Sequence, residues 1–208
     1  MPAQLFQWPI PIHPGPLQGC LVRLEPLLSG HEAELAEISG DGSIWRYLTS
    51  DAASSEDLHD YVAAALRAHL AGAEIPFVVR CESKRRLIGL TRLKELSLQH
   101  RKATVGSWFA PAAWGTGANT ESKRLLLEYA FESLHCLRVE FHTDSRNARS
   151  RAALARMGAV EEGLLRSHLI TQDGHRRDTV VFSVTKEEWP DVKARLRCRI
   201  QAQRSGDG

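Results

Sequence analysis

The chain of 208 residues is 43% apolar and has no repeat or low-complexity run, which fits one domain of moderate size able to bury its own core. Its 27 basic residues nearly balance 25 acidic ones, and the two signs are interspersed, which argues against a dedicated nucleic-acid surface. No stretch approaches the ~20 apolar residues of a membrane span, and Cys20, Cys81, Cys136 and Cys198 form no Cys-x-x-Cys pair that would support a metal or redox site; a reduced cytoplasmic setting is expected.

In chain order, residues 1–19 predict an extended arm, because prolines at 2, 9, 11, 14 and 16 forbid regular structure. The arm has no charged start followed by an apolar run, so it does not read as a secretory signal. A strand is predicted over 20–26 and a short helix over 30–39. Trp45, Arg46 and Tyr47 follow in a loop. A second helix runs from Ser55 to about Ala71, with Leu58, Val62, Leu66 and Leu70 at helical spacing. Strands over 76–82 and 86–93 flank Glu82-Ser83-Lys84-Arg85 as a hairpin. Thr104–Phe109 reads as a strand. After Trp114-Gly115-Thr116-Gly117-Ala118-Asn119-Thr120-Glu121, apolar residues recur at Leu125, Leu126, Tyr129, Ala130 and Leu134, again helical spacing. A strand over 137–143 leads into Asp144–Arg149 and a helix over 150–157, ended by Gly158. Strands over 160–170 and 178–184 flank the Asp173-Gly174 turn. A last helix runs from Lys186 towards Ile200, the domain spans 20–200, and 201–208 is expected to be a disordered tail. Together these predict an α/β fold with a mixed, largely antiparallel sheet and helices on both faces.

The turn at 114–120 carries the chemistry. A Gly-x-Gly turn entering a helix leaves backbone N–H groups unpaired at the positive end of the helix dipole, which is a ready phosphate site. It fails the P-loop pattern. It matches the dinucleotide pattern in part, with Glu140 in place of the ribose-binding acid, but Thr120 stands where the third glycine belongs. An ordinary strand-to-helix loop is the plain alternative. The arginine-rich stretch 146–156 reads first as a solvated helix face with local phosphate contacts.

Four motifs in order resemble the GNAT superfamily of N-acetyltransferases, and more closely its ribosomal-protein N-terminal acetyltransferase (RimJ/RimL-like) branch. They are Trp108-Phe109-Ala110-Pro111 ending a strand, the Trp-Gly-Thr-Gly turn, Asn147-Ala148-Arg149-Ser150, and the glycine-bounded helix before Glu161-Glu162-Gly163. The resemblance covers roughly residues 20–190. It implies a splayed central strand pair and an acetyl-CoA site. Backbone groups near Trp108 and Phe109 would pair with pantetheine, with the oxyanion donor near Phe109 or Ala110. The turn (Trp114, Gly115, Thr116, Gly117, Ala118, Asn119 and Thr120) would hold the pyrophosphate. Asn147 would reach the pantetheine arm, and Ser150 would protonate the leaving thiolate. Two departures stand out: Trp114 replaces the usual Arg or Gln, and Asn119 replaces the usual Gly or Ala.

Acetyl transfer needs a neutral amine, donors for the oxyanion and a proton for the thiolate. An α-amine with a pKa of about 7.7–8.0 asks little of a base, whereas a lysine near 10.4 costs roughly 4–5 kcal/mol to deprotonate at pH 7. His168 and Glu140 are the candidate bases, and Ser150 is the candidate acid or, alternatively, a helix cap. By the resemblance, Trp45, Tyr47 and Asp178 border the acceptor. The expected activity is transfer of acetyl from acetyl-CoA to a protein N-terminal α-amine or a small amine, without a metal and with a homodimer as the branch's expected assembly. The alternatives are a non-catalytic acyl-CoA-binding module and an NAD-binding enzyme.

Overall fold

The computed structural model describes Ile12 and residues 14–206, so most of the expected arm lies outside the described residues. Eight strands form one sheet: β1 (Leu17–Gln18), β2 (Val22–Pro26), β3 (Ile75–Cys81), β4 (Leu87–Ser97), β5 (Lys102–Phe109), β6 (Arg138–Asp144), β7 (Val160–Ile170) and β8 (Arg176–Thr185). Their spatial order is β1-β2-β3-β4-β5-β6-β8-β7. Every neighbouring pair is antiparallel except β5 with β6. Among the described residues five α-helices accompany the sheet: α1 (Glu32–Ser39), α2 (Ser55–Leu70), α3 (Ala118–Glu128), α4 (Ala148–Met157) and α5 (Trp189–Gly206).

The central strands are buried on both faces, so they read as apolar runs rather than alternating ones. In β3, Phe77 and Val79 enter one core with Leu126, Phe131, Phe182 and Leu196, which brings α3 and α5 to that face. Val78, between them, enters a second core with Leu35, Leu58, Val62 and Trp108, which brings α1 and α2 to the other. Burying side chains of this size stabilises the fold by roughly 1.5–3 kcal/mol each. This two-faced packing is the architecture the sequence predicts.

The second helix, α2, starts at Ser55 as the sequence predicts, with Ser54 as its cap, the Oγ accepting from Asp57 N at 3.1 Å. The last helix starts at Trp189 instead of Lys186, because Glu188 accepts from Thr185 N at 2.8 Å and Pro190 sits in the first helical turn. It then runs on through 206, and 207–208 of the expected tail lie outside the described residues. Gln201-Ala202-Gln203-Arg204 holds no helix breaker. After Glu128, α3 passes into a single π turn, Tyr129–Ser133.

The sheet is parted at its centre. β5 and β6 pair only from Lys102↔Arg138 to Val105↔Phe141. Beyond that, β5 stays with β4 as far as Gly89↔Phe109, and β6 stays with β8 as far as Asp144↔Thr179. Each strand follows its outer neighbour, and a wedge opens between them. Gly89 permits the close approach of β4 to β5: a Cβ there would meet Trp108 O at 2.3 Å.

Candidate active site

The wedge opens into two connected lobes of about 500 and 600 Å³, which share Tyr47, Leu48, Ser107, Trp108, Lys123, Asn147 and Ser150 as a common wall. The smaller lobe lies at the glycine turn and the larger one towards β7 and β8.

The free edge of β5 forms one side. Ala110 N donates to Ile88 O at 2.9 Å, so Ala110 belongs to a hydrogen-bonded pair of the β4–β5 ladder. By the alternation of an antiparallel ladder, Trp108 turns its backbone groups to β4, while Ser107 and Phe109 turn theirs to the wedge. This narrows two expectations, the backbone pairing near Trp108 and Phe109 and the donor near Phe109 or Ala110. Trp108 offers its buried ring and not its backbone, and the Ala110 N–H is already taken. Phe109 O accepts from Trp114 Nε1 at 2.9 Å, which leaves the Phe109 N–H as the donor aimed into the cleft.

The turn has the geometry an anion needs. Gly115 and Gly117 adopt φ of +83° and +84°, a left-handed conformation that side-chain-bearing residues resist. Gly117 caps α3 with no side-chain hydrogen bond, and Glu121 N makes the first intrahelical bond, to Gly117 O. The N–H groups of Ala118, Asn119 and Thr120 therefore precede the helix's own ladder. Thr116 turns away, its Oγ1 donating to Ala113 O at 2.8 Å, and the Ala118 side chain is buried in the core. Glu121 fixes the start of α3 against β2, its carboxylate accepting from Cys20 N, Leu21 N and Val22 N.

Trp114 acts through a neighbour. The Arg149 guanidinium lies 3.4 Å from the Trp114 ring centroid, a cation–π stack that puts a positive charge beside the turn. Arg149, Arg156, Arg199 and Lys123 all line this lobe, and among the described residues no acid does. The charged side chains lining it are thus all basic. Lys123 is half-buried and donates to Asn119 Oδ1, the side chain that departs from the family pattern. Burial lowers the Lys123 ammonium to about 8.

Asn147 caps α4, its Oδ1 accepting from Ser150 N at 3.0 Å, and among the described residues its amide N–H groups have no hydrogen-bond acceptor. Ser150 sits in the first turn of α4 and lines both lobes. The reading of Ser150 as a helix cap is thereby corrected: Asn147 is the cap.

In the larger lobe, His142 and His168 approach at 6.4 Å between ring centroids, edge to face. Burial lowers the His142 pKa below the usual imidazole value, against the pull of Glu95 and Glu140. Tyr47 lines both lobes, with the guanidinium carbons of Arg46 and Arg146 at 5.4 and 5.8 Å from its ring. Arg177 reaches into the lobe from β8.

Besides Thr116 and Ala118, three further expected residues do not join the cleft wall. Glu140 is held by Lys102 Nζ at 3.1 Å and Arg138 Nε at 2.9 Å, ion pairs that keep its pKa low against the effect of burial. A carboxylate so engaged is a poor base. Trp45 is buried in the second core, donating to Ser39 O at 2.8 Å and packing 5.2 Å from Trp108, so it supports the wall from behind. Asp178 accepts from Ser167 N at 2.7 Å and lines a separate shallow surface with Leu164–His168. The residues missed were Lys123 and Arg177, whereas Arg149 belongs to the arginine-rich stretch expected to make local phosphate contacts. The alternation of β8 puts Arg177 on the opposite face from Asp178, which was a signal available in the sequence.

The profile of the acetyltransferase (GNAT) domain matches residues 22–160. The Bacillus subtilis protein named "Putative ribosomal N-acetyltransferase YdaF" is 38% identical over 107 residues, covering 51% of this chain and 58% of that protein. The chain spans 56–58% of the length of the Bacillus relatives it matches. The structure of Mycobacterium smegmatis RimJ in complex with CoA-disulfide superposes with a TM-score of 0.76 at 25% identity, covering 89% of this chain and 93% of that one. Escherichia coli spermidine N(1)-acetyltransferase is 23% identical over 173 residues, 81% of this chain and 88% of that protein.

Proposed function

Because the chain belongs to the acetyltransferase (GNAT) family, we propose that it moves the acetyl group of acetyl-CoA onto a primary amine by direct attack of the amine on the thioester. The observation that carries this reading is the wedge between β5 and β6, with a cationic phosphate-binding turn in one lobe and a second lobe open to an acceptor.

The residues present fit acetyl-CoA. The N–H groups after Gly117, with Arg149 on Trp114, suit the pyrophosphate. The free edge at Ser107 and Phe109 and the Asn147 amide suit the pantetheine arm. In the reaction a C–N bond forms and the C–S bond breaks. The Phe109 N–H is aimed to stabilise the oxyanion. Ser150 Oγ hydrogen-bonds the departing thiolate. His168 takes the amine proton, with His142 beside it. Of the branch's acceptors, a protein N-terminal α-amine demands least of such a base.

An NAD enzyme is disfavoured: β5, α3 and β6 do make one parallel crossover, but the strands part where a dinucleotide fold keeps them paired. The open acceptor lobe likewise disfavours a non-catalytic binding module. A homodimer would pair through β7, the outer strand, where Val160, Leu164 and Ile170 are 48%, 51% and 68% exposed; a monomeric mass in solution contradicts it. Among the described residues no helix is long and apolar enough to cross a membrane. The four cysteines form no disulfide, which suits a reducing cytoplasm. The test of function is thiol release from acetyl-CoA with peptides bearing free α-amines. Amine-dependent release, with acetylated peptide by mass, is expected; release independent of the amine, or none, overturns the reading.

A further inference from the structure

The larger lobe contains a cation that no carboxylate hydrogen-bonds among the described residues. Arg177 is 5% exposed, yet among the described residues its Nε has no hydrogen-bond partner. Its one hydrogen bond among them runs from Nη1 to Tyr47 O at 3.4 Å, a weak contact. Asp144 lies near enough to attract it, but that carboxylate is occupied by Arg146, through N at 2.8 Å, Nε at 3.1 Å and Nη2 at 2.8 Å.

The other charges of the lobe do not offset it. Arg92 is paired with Glu74 at 3.0 Å, and Lys94 with Glu95 at 3.2 Å. Glu95 is the one acid lining the lobe among the described residues, and Thr104 Oγ1 also holds it, at 2.7 Å. Lys123, in the shared wall, has no carboxylate partner among the described residues. Two positive charges therefore face the space the acceptor enters. A buried guanidinium that no carboxylate hydrogen-bonds is unfavourable, and the planar fork it presents matches a carboxylate.

We infer that the acceptor amine carries a carboxylate and that Arg177 holds it. This rests on the acetyl-transfer reading and narrows its substrate class. Arg177 lies opposite Leu169 in the β7–β8 ladder, beside His168, so the anion would sit against the β7–β8 wall of the lobe and leave the amine to face Ser150. The same charges repel a polycation, so a polyamine of the kind named for the Escherichia coli relative is a poor acceptor here. The carboxylate has two sources, a free amino acid or an acidic side chain near a peptide's N-terminus.

The test is thiol release from acetyl-CoA with matched acceptors: a free amino acid and its amide, a peptide with an acidic second residue and its neutral counterpart, and spermidine. In one of the two pairs the carboxylate-bearing member is expected to exceed its partner by about tenfold or more in kcat/KM, and the pair that does so identifies the source. Spermidine is expected to be the slowest. Arg177→Gln is expected to bring that ratio close to one through KM, and Arg177→Lys to keep part of it. A ratio near one in both pairs for the wild type overturns the inference while leaving acetyl transfer intact. So does a ratio unchanged by Arg177→Gln, or a preference for spermidine. No turnover with any amine overturns both readings. If Arg177→Gln does not fold, the wild-type ratios alone decide.

Discussion

The two lobes of the cleft are built by different means. The cofactor lobe is made largely of backbone: two left-handed glycines, the N-terminus of α3 and a strand edge that β6 has left. Side chains refine it, as when Arg149 stacks on Trp114 and returns a positive charge to a turn that lacks the usual one. The acceptor lobe is made almost wholly of side chains from distant segments: Tyr47, Arg92, His142, His168 and Arg177. Backbone donors tolerate substitution at their own positions, so the first lobe can keep one ligand while its side chains change. A lobe built from side chains changes its chemistry when they change, so on the proposed reading acceptor choice resides there.

The largest expected effect is on the backbone. Gly115→Val places a β-branched residue at φ +83°, where a Cβ meets nothing within 4 Å, so the strain falls on the turn alone. Acetyl-CoA affinity is expected to fall by about a hundredfold in a folded protein, read by calorimetry beside circular dichroism. Gly117→Val is a poorer probe, because its Cβ would lie 2.5 Å from Gln203 Oε1 and 3.0 Å from Leu21 Cδ1 and would disturb the packing of α5. Next is Ser150→Ala, expected to slow turnover by roughly a hundredfold while acetyl-CoA affinity changes less than tenfold; turnover equal to wild type would remove Ser150 from the chemistry.

A side-chain effect follows. Arg149→Ala and Trp114→Ala are each expected to weaken acetyl-CoA binding by about tenfold, and the double variant by no more than either alone. Additive losses would show that the two side chains act separately. The smallest effect is on stability. The Lys123 ammonium titrates at about 8 in the folded protein, below its ordinary 10.5. The unfolded chain therefore binds more protons between those values, and the full penalty applies below about pH 8, then fades as pH rises towards 10.5. Lys123→Met is expected to stabilise the protein by about 1–3 kcal/mol at pH 7, with the gain shrinking above pH 8 in thermal melts. A gain independent of pH would assign it to packing.

The sequence made the cofactor lobe legible because its signals are local. Gly115, Gly117 and Asn147 each act within a few residues of their own position, and chain order alone brought them into one pattern. The acceptor lobe was not legible in that way. Trp45 and Tyr47 are two apart, yet one is buried behind Trp108 and the other faces both lobes. Asp178 drew attention as an acid, while its neighbour Arg177 occupies the face that meets the cleft. Glu140 carries the residue type a base needs but is spent on Lys102 and Arg138. Strand alternation narrows such choices to a face; which face meets a cavity depends on where β5 and β6 part, and that depends on long-range pairing.

The most direct test is calorimetric titration of the purified protein with acetyl-CoA, with CoA and NAD as comparisons. Saturable binding of acetyl-CoA and CoA, with NAD silent, is the predicted result. Silence towards acetyl-CoA, or binding of NAD in its place, would contradict the assignment of the parted strands and the glycine turn as an acetyl-CoA site.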